Sequence, residues 1–125
     1  MVKYKSENTT PEQIYKLMRS GDVGKVSDNI GYIGKPADYV IYTQEDRNGA
    51  EVTICAIRFE DGKMMATNSG VFRTEIELMI DTFGKIPEIR IADGTSKNGR
   101  HFVTAELMID TFGKIPEVQI AAERT

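Results

Sequence analysis

Between residues 38 and 69 the chain reads as alternating runs broken by tight-turn residues: DYVIYTQ, then EDRNGA, then EVTICAIRFE, then DGK, then MMATNS. In the first run Tyr39, Ile41 and Thr43 oppose Val40, Tyr42 and Gln44, the period-two spacing of a strand. Asn48-Gly49 is the strongest short hairpin signal available, because both central residues of the favoured turn need positive φ. Three strands joined by two hairpins make a meander, and the rest of the fold has to be built around it.

The period then changes. SGVFRTEIELMIDTFG places Ile76, Met79, Ile80 and Phe83 at helical spacing, with Ser69 as cap and Gly84 as stop. IPEIRIADG follows as a strand with Ile89 and Ile91 on one face, TSKNGR as a polar hairpin loop, and HFVTAEL as the returning strand. Five short strands with a helix between the third and fourth is the order of the OB-fold, a five-stranded Greek-key barrel whose helix plugs one end. An SH3-like barrel or an α+β sheet gives a similar string. Upstream, TTPEQIYKLMRSG predicts a short helix: Thr10 caps it, Pro11 fits its first position and Gln13 completes a capping box. VSDNIGYIGKPADY, with Gly31, Gly34 and Pro36, reads as a connection. The expected organisation is a single mainly β domain: an N-terminal helical appendage over 1–21, a barrel over 36–107 and a duplicated C-terminal segment over 106–125.

That last segment repeats the text ELMIDTFGKIPE, found at 77–88 and again at 106–117. The first copy falls in the inter-strand helix. The second begins in the last strand, where Val103, Ala105, Leu107 and Ile109 alternate, yet Ala105, Met108, Ile109 and Phe112 reproduce the helical stripe. Two units are too few for a solenoid. A duplication that appended an extra helix–strand piece is one reading. Exchange of the second copy with a neighbouring chain, giving a homodimer, is the other.

A chain of 125 residues with 28% charged residues and a formal charge of −3 does not simply coat nucleic acid with lysine, although a local basic groove is compatible with it. No segment has the apolar length of a membrane span or the core of a signal peptide, so the cytoplasm is the expected compartment. One cysteine, Cys55, sits within EVTICAIRF and reads as a buried strand thiol. With one histidine, His101, it cannot make a zinc site. GDVGKVS has two residues between its glycines where a phosphate loop needs four. DRNG lacks the alternating carboxylates of a calcium loop. Glu77, Asp81 and Glu88 read as a solvated helix face and turn. No active site and no cofactor are expected.

One stretch carries a binding signal. GTSKNGRHFVTAEL puts Lys97, Arg100 and His101 in a polar hairpin tip and Phe102 on the strand after it. If Val103, Ala105 and Leu107 face the core, then Phe102, Thr104 and Glu106 face out. An outward ring beside mobile cations suits a single-stranded nucleic acid, since the ring stacks on a base while the cations follow the phosphates. In an OB-fold this connection and the one between the first two strands, here EDRNGA with Arg47, grip oligonucleotides. Arg47, Lys63 and the rings of Tyr39 or Tyr42 and Phe59 would complete the channel.

From PEQIYKLMRSG through DGK-x-x-ATNS to G-x-SKNGR-x-F-x-T, over residues 10–107, the chain resembles the small single-stranded DNA-binding proteins of bacteriophages of Gram-positive hosts. The resemblance implies an OB-fold that coats unwound DNA during phage replication or recombination in the host cytoplasm, with replication proteins as partners. By position it points to Lys97, Arg100 and Phe102, and also to Arg47. Such proteins often finish in an acidic tail that recruits partners. This sequence ends AAERT, so recruitment of that kind is not implied. Two other functions compete. An acidic small domain can be a protein-binding module, an adaptor or inhibitor of a host protein. A metal-dependent hydrolase would need Asp38, Glu45 and Asp61 at one cleft.

Overall fold

The computed structural model describes residues 2–7 and 9–108. The meander is present: β4 (Pro36–Glu45), β5 (Glu51–Phe59) and β6 (Met64–Thr67) pair antiparallel, with Ile41 opposite Cys55 and Ala56 opposite Ala66. At the first turn Asp46 Oδ1 accepts from the backbone N–H of Asn48 and Ala50, at 2.8 and 3.0 Å. This side chain takes over hydrogen bonds that the turn backbone cannot supply. Earlier in the chain come β1 (Val2–Lys5), α1 (Pro11–Arg19), β2 (Gly24–Lys25), a short 3₁₀ turn (Val26–Asn29) and β3 (Ile33–Gly34). Later come α2 (Gly70–Phe83), β7 (Ile89–Thr95) and β8 (His101–Leu107).

The strands form two sheets, in the orders β1-β4-β5-β6-β2 and β3-β7-β8, and not a closed barrel. The physical reason lies at the edges. Closure into a barrel would need the outer edges of β4 and β6 for the C-terminal hairpin. Here β1 pairs with β4, and β2 pairs parallel with β6. Both edges are taken, so the β7–β8 hairpin finds its partner in β3 instead. The segment expected to be a plain connection thus supplies the 3₁₀ turn and β3, and β2 lies just before it.

Both helices form as their caps predict. Thr10 and Gln13 exchange side chain–backbone bonds at 3.1 Å in each direction at the start of α1. Ser69 accepts from the Phe72 N–H at 3.3 Å to start α2, and the Gly84 N–H donates to Ile80 O to close it. Each helix covers a different face of the larger sheet. Ile14 and Leu17 of α1 pack with Val40, Tyr42 and Ala56. On the opposite face Tyr39, Ile41, Cys55, Ile57 and Phe59 pack with Phe72, Ile76 and Met79 of α2. That second core continues into Ile89, Ile91 and Ala105 of the smaller sheet. Burial of a side chain as large as Leu17 contributes about 1.5–3 kcal/mol. The N-terminal helix is therefore a layer of the fold.

One polar group ties the chain before α1 to the larger sheet. Asp38 is buried and accepts from Arg58 Nε at 2.7 Å and from Nη2 of the same guanidinium. Its other oxygen accepts from the Thr9 hydroxyl at 2.8 Å. Ser6 Oγ accepts from the Tyr39 N–H at 3.0 Å. A buried carboxylate needs such partners to remain charged.

The single cysteine is fully buried, as its apolar run predicts. Burial, with the Glu77 charge adding to it, pushes the Cys55 thiol up from 9 to about 12. Burial also raises the phenols of Tyr39 and Tyr42. In the unfolded chain the thiol ionises first, so its contribution to stability is intact below pH 9 and is lost as pH climbs toward 12. The melting temperature should accordingly fall over that interval. A pH series of thermal melts should show a later onset of the fall for Cys55→Ala.

Candidate nucleic-acid interface

The β7–β8 hairpin closes through residues 96–100. Ser96 Oγ accepts from the N–H of Asn98 and Arg100, at 3.3 and 3.2 Å. Gly99 adopts φ +80, a conformation that other residues reach only with strain, which is why the turn text reads Asn-Gly. These bonds hold the tip backbone while Lys97, Arg100 and His101 extend into solvent.

The strand register decides which way Phe102 points. Ile89, Ile91 and Asp93 pair with Leu107, Ala105 and Val103, and Ile89, Ile91 and Ala105 are core. The alternate pairs, Arg90 with Glu106, Ala92 with Thr104 and Gly94 with Phe102, occupy the outer face. Phe102 thus lies outside the core and is half-buried. Its ring rests on Gly94: a Cβ at that position would lie 2.6 Å from Phe102 Cζ. Glycine here is a requirement of close approach: it leaves room for the tip of the ring across the strand pair.

The outer face continues beyond the ring. Thr104 and Ala92 form the next row, and Arg90 and Glu106 the row after it. Ile33 of β3, 48% exposed, lies beside Arg90. The run from Phe102 to Glu106 is about 13 Å of strand. α2 packs on the core side of β8, beside Ala105, and α1 lies on the far face of the larger sheet, so the outer surface has a ring at one end, small residues in the middle and a guanidinium at the other.

The other expected site residues are distributed differently. Tyr42, 4% exposed, lies under α1, and Phe59, 1% exposed, lies under α2, while Tyr39 is buried in the same core as Phe59. None of the three can stack on a base. A strand sandwiched between two layers buries both of its faces, so alternation along it marks no outward side. Arg47 is exposed, but on the β4–β5 turn of the larger sheet, and the barrel groove that would have joined it to Lys97 and Arg100 is not formed. Lys63, at the β5–β6 turn, holds its ammonium 5.7 Å from the centroid of the Tyr32 ring.

Tyr32 is a residue that sequence reasoning missed. Its ring meets Phe59 edge-on at 4.9 Å, and its hydroxyl donates to Asp61 Oδ2 at 2.5 Å. Burial and the Asp61 carboxylate push the Tyr32 phenol up to about 12, while the same hydrogen bond draws Asp61 down. Arg90 was also missed, although its alternation with Ile89 and Ile91 carried the signal.

The carboxylates considered for metal chemistry do not meet. Asp38 is engaged by Arg58 and Thr9, Asp61 by Tyr32 and the Lys63 N–H, and Glu45 is exposed at the end of β4. Among the described residues no three His, Cys, Asp or Glu side chains are grouped to hold a metal. An open cleft of about 480 Å³ beside β2 and β6 is lined by Lys25, Ser27, Ile54, Ala66, Thr67 and Asn68 among others, with no carboxylate. Among the described residues no helix is long and apolar enough to cross a membrane. Comparison of the chain with family models, with curated proteins and with solved structures returned no match.

Proposed function

We propose that this protein binds single-stranded DNA with little sequence preference, using the outer face of the three-stranded sheet and its β7–β8 hairpin. The observation that carries the reading is the Gly94–Phe102 pair: a ring that reaches across the strand pair onto Gly94 on the outer side of the sheet, one residue from a tip bearing Lys97, Arg100 and His101. Every base has a π-face, so stacking on such a ring is tolerant of sequence. The tip cations supply the salt-dependent part by displacing counterions from the phosphates. The residue resemblance to phage single-stranded DNA-binding proteins supports the same polymer, and replication or recombination is the setting it implies. Replication proteins would then be its protein partners.

Titration of fluorescent oligo-dT over a range of salt tests this. Arg100→Ala should weaken binding and flatten the plot of log affinity against log salt by about 0.7, the loss of one phosphate contact on a single strand. A slope equal to the parent's would remove Arg100 from the interface. No signal at micromolar protein and low salt would turn attention to the protein-binding alternative. For that role the exposed Val71 and Leu78, one above the other on α2, are the surface to examine.

A further inference from the structure

We infer that Arg90 and Glu106 form a charge latch on the DNA-binding face, in which Glu106 holds the Arg90 guanidinium until a backbone phosphate takes it over. The inference rests on the proposed function and adds a phosphate-binding residue and a carboxylate that opposes it. Arg90 donates from both Nε and Nη2 to a single oxygen, Glu106 Oε1, with the Nε bond at 2.9 Å. The two side chains are 42% and 47% exposed, on the outer face two rows from Phe102. An exposed pair of this kind contributes little to folding, so opening it is cheap. A guanidinium presents a donor fork that matches phosphate oxygens, and a strand stacked on Phe102 that runs down the sheet passes over this row.

The carboxylate has two consequences. It neutralises Arg90 while the face is empty, and it repels any phosphate that arrives. A polyanion stacked at Phe102 can bring a phosphate to Arg90 in spite of that repulsion, whereas an isolated anion has no such anchor. The latch thus disfavours simple anions and favours a strand that spans the face.

The test uses the full chain and fluorescent oligo-dT, comparing the parent with Glu106→Gln, Arg90→Ala, Arg90→Lys, the double variant Arg90→Ala/Glu106→Gln, and Phe102→Ala as the site control. Melting curves confirm that each variant is folded. Glu106→Gln should bind about three- to tenfold more tightly, the size of one nearby charge removed from a solvated surface. Its salt dependence should be at least as steep as the parent's. Arg90→Ala should bind more weakly with a slope flatter by about 0.7, and Arg90→Lys should keep most of the slope. The decisive comparison is the double variant. If Glu106 acts through Arg90, most of the gain from Glu106→Gln disappears when Arg90 is absent. An undiminished gain in that background would overturn the latch, leaving Glu106 as a simple repulsive charge. Weakening by Phe102→Ala with no effect from either latch residue would overturn the latch and leave the proposed function standing. Absence of binding by the parent and all variants would overturn both.

Discussion

Phe59→Ala is expected to destabilise the protein by about 3–5 kcal/mol, the cost of deleting a buried phenyl ring from a core that cannot collapse around the gap. Phe59 is 1% exposed at the end of β5, in one cluster with Ile57, Phe72 and Ile89, and its ring meets the edge of Tyr32 at 4.9 Å. Its loss would also free Tyr32 to move, and with it the Asp61 and Lys63 contacts at the β5–β6 turn. Denaturant unfolding should show the shift in midpoint. At a temperature where the variant is still folded, its affinity for oligo-dT should match the parent's. A specific loss of DNA affinity with unchanged stability would contradict the placement of this ring.

The second large effect has the opposite signature. Phe102→Ala should weaken oligo-dT binding about five- to 150-fold, corresponding to about 1–3 kcal/mol for one base stacked on one ring. The salt slope should remain that of the parent, because no phosphate contact is removed. Some stability will be lost as well, since the ring shields the Gly94 backbone across the strand pair. Cross-strand aromatic pairs contribute roughly 0.2–1 kcal/mol, well below the cost expected at Phe59. Equal affinities for Phe102→Ala and the parent would remove the central support of the proposed function.

These two phenylalanines also show how far the sequence could be read. Both lie on strands, whose residues point alternately to two faces, and the period alone does not say what covers either face. On β8 the inference succeeded, because Val103, Ala105 and Leu107 are apolar while Thr104 and Glu106 are polar. On β4 and β5 it failed. The unbroken apolar runs Tyr39–Tyr42 and Ile54–Ile57 were a sign of burial on both sides, now traced to α1 on one face and α2 on the other. The helix caps and the three hairpin turns were legible because each rests on residues a few positions apart. The two-residue strands β2 and β3 are too short to show a period, and β1 falls within the segment expected to be a helical appendage. Those three strands decide whether the meander closes.

The repeated text makes the same point within one molecule. Glu77, Leu78 and Met79 are helical, with Leu78 exposed and Met79 buried. The identical Glu106 and Leu107 belong to β8, and the Met108 N–H donates to Glu88 O at 2.9 Å, extending the ladder. What differs is the text in front. Phe72 and Ile76, which seat α2 in the core, precede the repeat and have His101 and Ala105 as their counterparts. A second copy exchanged into the seat of α2 would arrive without those two anchors. The rest of that copy, and with it the expected exchange between chains, lies outside the described residues.

The division into two sheets has a mechanical side. β3 and β4 are separated by Lys35 alone, so a nearly continuous stretch of chain crosses from one sheet to the other, while among the described residues no strand ladder spans the gap. The sheets meet largely through apolar side chains, with the Tyr32 hydroxyl bond to Asp61 and the Ser69 hydroxyl bond to Val103 O as polar ties across the joint. A sealed cylinder lacks such a joint.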